Sequence, residues 1–349
     1  MNSHADAWPE RIGNEAELDE LLTRPSPALR AFIPKVASPL VVLGAGGKMG
    51  PSLAVLAKRA ATEAGYQLDV IAVSRFQEAS ARRGLEAAGI QTLSCDLLDA
   101  ASVARLPEAA NVIYLVGLKF GTAQNPSLTW AMNTIVPLRV AERYPQARLA
   151  ALSTGNVYPF SAVSRGGSVE TDPLTPVGEY ANAAVARERL FEFFARRQNS
   201  PLALLRLFYA VDLRYGVVVD LARRILQGEP VPLANGFFNC IWQGDANEFI
   251  LRSLALASAP PAAFNLCRPE VCSVRDTARQ LGERLGRTPH FQGEESPTAL
   301  LGNSARLCAQ LGPPAVTLDR LIDWAAHWVQ AGGKDLGRPT HFEVRDGQY

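Results

Sequence analysis

From Pro39 onward, short apolar runs alternate with longer stretches in which apolar residues recur every three or four positions. Short apolar runs bounded by turn residues predict buried strands, and the three-to-four spacing predicts the helices that cover them. Strands are predicted at 40–43, 68–73, 91–95, 112–116, 148–152 and 202–208, with helices over about 49–64, 128–143 and 178–197. Strands and helices in alternation predict an α/β fold, a doubly wound parallel sheet covered on both faces. After 208 the elements shorten. A helix near 217–227, a strand near 238–242, a helix near 246–257, a strand at 264–266 and helices near 274–286 and 318–331 predict a smaller C-terminal α/β part. Before Pro39 lies a polar lead-in. Asn14 and Glu17 predict a capping box there, Leu18, Leu21 and Leu22 an apolar helix face, and Pro25 and Pro27 its end.

The first strand runs directly into Gly44-Ala45-Gly46-Gly47-Lys48-Met49-Gly50, and a helix follows at once. Glycine permits positive φ and lets backbone approach a ligand with no Cβ in the way. The free N–H groups and positive dipole end of the following helix favour an anion such as a pyrophosphate. Pro51 suits the first helical turn, where its missing N–H costs nothing. A glycine-rich turn alone is a weak signal, so the ends of the other strands matter: Ser74-Arg75, Asp96-Leu97, Val116-Gly117-Leu118-Lys119 and Ser153-Thr154.

Composition narrows the function classes. Of 349 residues 48% are apolar, enough for a sizeable core, and 35 basic against 34 acidic residues leave a net charge of +1. No basic surface for nucleic acid is implied, no membrane partner, and no apolar run of the roughly 18 residues a span requires. The N-terminus shows no secretory pattern, and Cys95, Cys240, Cys267, Cys272 and Cys308 form no C-x-x-C pair, so buried thiols and a cytoplasmic location are expected. His4, His290, His327 and His341 are scattered, and no metal site is predicted.

Five pieces in order carry a resemblance. They are Gly44, Gly47 and Gly50; Asp96-Leu97; Asn133 opening Asn-Thr-Ile-Val-Pro-Leu; Ser153-Thr154-Gly155-Asn156-Val157-Tyr158; and Tyr180 with Glu188 eight residues on. Together they resemble the extended short-chain dehydrogenase/reductases, the NAD-dependent epimerase/dehydratase family, over roughly 39–290. The resemblance implies a Rossmann sheet and a dinucleotide cofactor held by Gly44, Gly46, Gly47, Lys48, Met49, Gly50, Ser74, Arg75, Asp96, Leu97, Val116, Gly117 and Asn133. It implies that Thr154 orients the reacting oxygen, that Tyr180 is the general acid/base, and that the chain forms a homodimer through the 128–143 and 178–197 helices. The expected division is a lead-in over 1–38, a dinucleotide-binding part over 39–208 with 236–257 returning to it, and a substrate-binding part and tail over 209–235 and 258–349.

The departures are informative. Hydride transfer to nicotinamide requires a proton to leave the same alcohol, and a phenol with an ordinary pKa of about 10 needs a nearby cation to serve near neutrality. The family supplies a lysine four residues after the tyrosine; here that residue is Ala184. Lys119, after strand four, either replaces that cation or merely meets phosphate or solvent, and Arg187, two turns beyond Tyr180, is set aside as too distant. Ser74-Arg75 ends strand two where NAD-binding members usually carry an acid, which favours NADP, with NAD as the alternative. Gly155-Asn156 stands where 4,6-dehydratases carry Asp-Glu. Arg206-Leu207-Phe208-Tyr209 lacks the asparagine of the family's Arg-x-x-Asn, and Phe237-Phe238 stands where an arginine often helps to hold a nucleotide sugar. Tyr209, Trp242 and Phe238 are candidate pocket walls. The sequence therefore points to an NAD(P)-dependent oxidoreductase or epimerase acting on a small sugar, sugar acid or polyol. A nucleotide-sugar epimerase and a non-catalytic dinucleotide sensor remain as alternatives.

Overall fold

A computed structural model describes residues 8–118, 124–337 and 340–347. Seven parallel strands build the central sheet: β1 (Leu40–Leu43), β2 (Val70–Ser74), β3 (Gln91–Ser94), β4 (Asn111–Tyr114), β5 (Arg148–Thr154), β6 (Leu202–Leu207) and β7 (Ala262–Leu266). Their order across the sheet is β7-β6-β5-β4-β1-β2-β3. The strand order reverses between β1 and β4, which is where a doubly wound sheet opens a crevice at its carboxyl edge. The edge strand β7 pairs with β6 from Ala262↔Ala203 to Leu266↔Leu207. A segment assigned from the sequence to the smaller part thus completes the main sheet, so a boundary at 258 is moved: pairing with β6 is a long-range choice that nothing local announces.

Alternation along β1 explains the two covered faces. Leu40 and Val42 join one core with Leu53, Leu56 and Ala57 of the Gly50–Glu63 helix and Phe249 and Ile250 of the Gln243–Arg252 helix. Val41 and Leu43 join the opposite core with Val136 and Val140 of the Pro126–Arg143 helix and Phe191 of the Glu179–Gln198 helix. Successive strand side chains point to opposite faces, so an unbroken apolar run is what a sheet buried on both sides demands.

The smaller part has its own core, in which Val217, Leu221, Leu281, Trp324 and Trp328 pack with Leu18, Leu21 and Leu22 of the lead-in. The lead-in helix Glu15–Leu22 is capped as its sequence predicts: the Asn14 side chain accepts from the Glu17 amide at 3.0 Å, and Glu17 reaches back to the Gly13 amide at 2.7 Å. Trp242 and Phe238 belong to this core and are fully buried, with Trp242 edge-on to Trp324 at 5.3 Å. They are packing residues at the junction and, among the described residues, lie apart from the cavity at the sheet's carboxyl edge.

Asp245, near the start of the Gln243–Arg252 helix, is buried and accepts the Val316 amide at 2.9 Å. Burial raises its carboxyl to about 7, outweighing the opposing amide hydrogen bond. The unfolded value is about 3.9. The folded state therefore holds a proton that the unfolded chain releases. This contribution to stability is complete below the unfolded value and is lost as pH rises through about 7. Between about pH 5 and pH 8 it amounts to about 2–3 kcal/mol. Urea unfolding should show wild type losing that much more stability over the interval than Asp245→Asn; parallel pH curves would contradict the assignment.

Candidate active site

The turn after β1 places its glycines for identifiable reasons. Gly44 has φ +84°, and a Cβ there would lie 3.1 Å from the backbone of Leu115 and Val116. A Cβ at Gly50 would lie 2.5 Å from the Ala45 backbone, and one at Gly46 would lie 2.6 Å from Ser74 Oγ. These three glycines let the turn fold tightly between β2 and β4. Gly47 differs: it is exposed, and a Cβ there would meet only the Gly44 carbonyl, at 3.3 Å. The Gly50–Glu63 helix starts without a side-chain cap. Its first N–H groups and dipole thus face the carboxyl edge with open approach over Gly47, which fits a dinucleotide pyrophosphate.

Next to this turn, a cavity of about 190 Å³, partly open to solvent, extends along the sheet edge. It brings together Lys48, Met49, Val116, Gly117, Thr154, Tyr180 and the candidate pocket wall Tyr209 of the residues expected from the sequence. Asn156, Arg187, Tyr215, Leu300 and Thr340 also line it. Arg187 was set aside on spacing as too distant, yet its side chain reaches the cavity. Tyr215 and Thr340 come from a turn and from the C-terminal tail and belong to no recognisable motif. The tail is anchored there by Thr340, whose amide and hydroxyl donate to Asp220 at 2.9 and 2.6 Å.

Several expected residues lie off the cavity. Ser74 packs under Gly46, Arg75 is exposed at the end of β2, and Leu97 is buried. Asp96 is exposed and accepts the Leu98 amide at 2.9 Å. Asn133 is fully buried on its helix, donating to the Thr129 carbonyl at 2.8 Å, while its Oδ1 has no partner. Lys119 lies outside the described residues.

At the end of β5 the Thr154 hydroxyl donates to Asn156 Oδ1 at 3.1 Å and accepts the Asn156 amide at 3.2 Å. Gly155 is required by its neighbour: a Cβ there would sit 2.4 Å from the Phe208 ring. The Gly-Asn pair is thus a packing consequence as well as a chemical difference from Asp-Glu. Tyr180, only 8% exposed, is the second residue of the Glu179–Gln198 helix.

That helix is fixed to the sheet by a buried polar cluster. Glu188 is fully buried, accepts the Ser153 hydroxyl, and receives a two-pronged contact from Arg206, with Nη2 to Oε2 at 2.8 Å. Arg206 also donates to the Tyr158 hydroxyl at 2.6 Å, and Tyr158 donates to Asn265 at 2.9 Å on β7. Burial pushes the Tyr158 phenol up to about 12, so it stays a neutral donor. The cluster ties the helix carrying Tyr180 to the strand carrying Thr154. Removing one partner of a buried pair leaves an uncompensated charge and costs about 3–5 kcal/mol. Arg206→Met should show that loss in urea unfolding; a loss below about 1 kcal/mol, the range of exposed pairs, would contradict this role.

Fold, turn and cavity define a Rossmann-type α/β protein with a cavity at the switch point of its sheet. A model of the NAD dependent epimerase/dehydratase family matches residues 40–248, more than half the chain, and the chain belongs to that family. Among solved structures it is similar to Pal from Bacillus thuringiensis, at 18% identity over 84% of this chain and 99% of that one, with a TM-score of 0.70. The UDP-glucose 4-epimerase of Thermotoga maritima, solved with UDP-glucose, is 20% identical over 84% of this chain and 99% of that one, with a TM-score of 0.67. The Thermus thermophilus UDP-glucose 4-epimerase in complex with NAD is 20% identical over 83% and 99%, with a TM-score of 0.64. At these identities the likeness shows a shared fold. No curated protein matches the chain.

Proposed function

We propose that this protein is an NAD(P)-dependent oxidoreductase or epimerase acting on a carbohydrate-like hydroxyl. The observation that carries this reading is the meeting of Thr154 and Tyr180 in one cavity beside the glycine turn. The cofactor, when bound, takes up or returns a hydride. Thr154 donates to the reacting oxygen, leaving Asn156 to do so. Tyr180, as the phenolate, takes the proton from that oxygen and becomes the phenol, and as the phenol it returns the proton in the reverse direction. Arg75, exposed at the end of β2, favours a 2′-phosphate and hence NADP. A charge-assisted contact of this kind is worth about 1.5–3 kcal/mol. Arg75→Ala should therefore weaken NADPH binding roughly 10–100-fold and leave NADH nearly unchanged; an equal effect on both would remove the basis for preferring NADP.

The substrate reading follows from what holds Arg206 and from what replaces the family's other nucleotide-sugar contacts. Arg206 is occupied by Glu188 and Tyr158, Tyr209 replaces the asparagine, and Phe238 is in the core. A small sugar, sugar acid or polyol fits this lining better than a nucleotide sugar. Solved relatives that hold UDP-glucose keep nucleotide-sugar epimerisation as the second reading. The test is a screen of sugars, sugar acids and UDP-sugars with NADP and NAD, following nicotinamide absorbance and, for epimerisation, the sugar NMR signals. Turnover of a free sugar or sugar acid supports the proposal. Turnover of UDP-sugars alone would replace it with the second reading.

A homodimer through the Pro126–Arg143 and Glu179–Gln198 helices is part of the same proposal. Leu128, Ile135 and Phe193 stand exposed on these helices, an apolar surface of the kind that subunit contacts cover.

A further inference from the structure

Arg187 is 3% exposed and lines the cavity that Thr154 and Tyr180 share. One Nη donates to the Val116 carbonyl at 3.0 Å, at the carboxyl end of β4, while its Nε has no partner. The adjacent carboxylate, Glu188, is taken by Arg206. Among the described residues no carboxylate pairs with Arg187, and none lines the cavity. An arginine in a protein remains charged. A buried charge without an opposite charge is costly, and persists where a ligand or a developing charge compensates it. Space for it is built in. Gly117 leaves room, since a Cβ there would lie 3.1 Å from Arg187 Nη1, and the buried Ala184 stands one helical turn before it on the same helix. Lys48, the cavity's other cation among the described residues, is held on another element, donating to the Ala210 carbonyl at 2.8 Å and lying 4.2 Å over the Tyr215 ring.

We propose that Arg187 is the fixed positive charge of the reacting centre, supplying from one turn further along Tyr180's own helix what Ala184 cannot. In the proton transfer proposed above, Tyr180 and the substrate oxygen share negative charge as the proton moves between them, and Arg187 stabilises that charge. No other group need be added to balance the step. The inference rests on the proposed oxidoreductase or epimerase reading.

The test uses the full chain with the substrate that the screen identifies. Arg187→Met should lower kcat by about 10²–10³-fold, the span for removing a preorganised charge-stabilising group, with little change in KM. Arg187→Lys should recover part of the loss. The double variant Arg187→Met with Ala184→Lys should recover more, because it restores a cation at the family position; a purely structural arginine would not be rescued from that site. Arg187→Met combined with Tyr180→Phe should be no slower than Tyr180→Phe alone, as groups acting together lose non-additively. Wild-type kcat in a folded Arg187→Met protein would overturn the proposal, as would a loss confined to Lys119→Met. Failure of wild type to bind any nicotinamide dinucleotide is a separate outcome, which overturns the functional reading and this inference with it.

Discussion

Tyr180→Phe should lower turnover by about 10²–10⁴-fold, the usual span for general acid–base assistance, while dinucleotide affinity stays close to wild type. The ring is almost wholly buried in the first turn of its helix, and phenylalanine keeps that packing. Only the hydroxyl is lost, so a fall in kcat isolates the proton-transfer role from the fold. Thr154→Val should give a smaller fall, because Thr154 orients the oxygen without carrying its proton. If Tyr180→Phe proves harmless with every substrate that turns over, Tyr180 is not the acid/base. If in addition no substrate is found while a dinucleotide still binds, the non-catalytic sensor becomes the better account.

Gly47→Leu should reduce nicotinamide dinucleotide affinity by at least about 100-fold, with a much smaller loss of the free protein's stability than substitution of Gly44 or Gly50 would bring. The contrast with its neighbours sets this expectation. A side chain at Gly50 would strike the Ala45 backbone at 2.5 Å, and one at Gly44 would be strained at φ +84° as well as crowded. Those substitutions damage the turn itself. Gly47 is exposed, and its added Cβ meets only the Gly44 carbonyl, at a tight 3.3 Å, so a leucine there disturbs what comes to the turn more than the turn itself. Surface substitutions away from special features change stability by about 0.5 kcal/mol or less. Thermal unfolding without ligand and a fluorescence titration with NADPH separate the two effects. Retained affinity in Gly47→Leu would show that the pyrophosphate does not cross this turn.

The sheet could be read from the sequence because burial on both faces leaves a strong mark: four consecutive apolar residues in β1, then glycine, then helical spacing. β7 carries a weaker mark, because Asn265 interrupts its apolar residues, and nothing local identifies its neighbour, since pairing with β6 is a long-range choice. The motif residues Thr154 and Tyr180 came from the family resemblance, and both line the cavity. Tyr215 and Thr340 were not found, because a turn and a tail that fold back from distant parts of the chain have no local signature. Trp242 and Phe238 were misplaced because an aromatic residue beside a motif looks the same whether it packs in a core or lines a pocket. That the Arg187 side chain lines the cavity was not legible for a different reason. Counting helical turns measures the distance between Cα atoms, whereas an arginine places its charge several ångströms from its own backbone.

The most direct test of the central claim is a fluorescence titration of the purified protein with NADPH and with NADH. Saturable binding of both, tighter for NADPH, is the predicted result. Tighter binding of NADH would contradict only the role given to Arg75, whereas binding of neither would contradict the account as a whole.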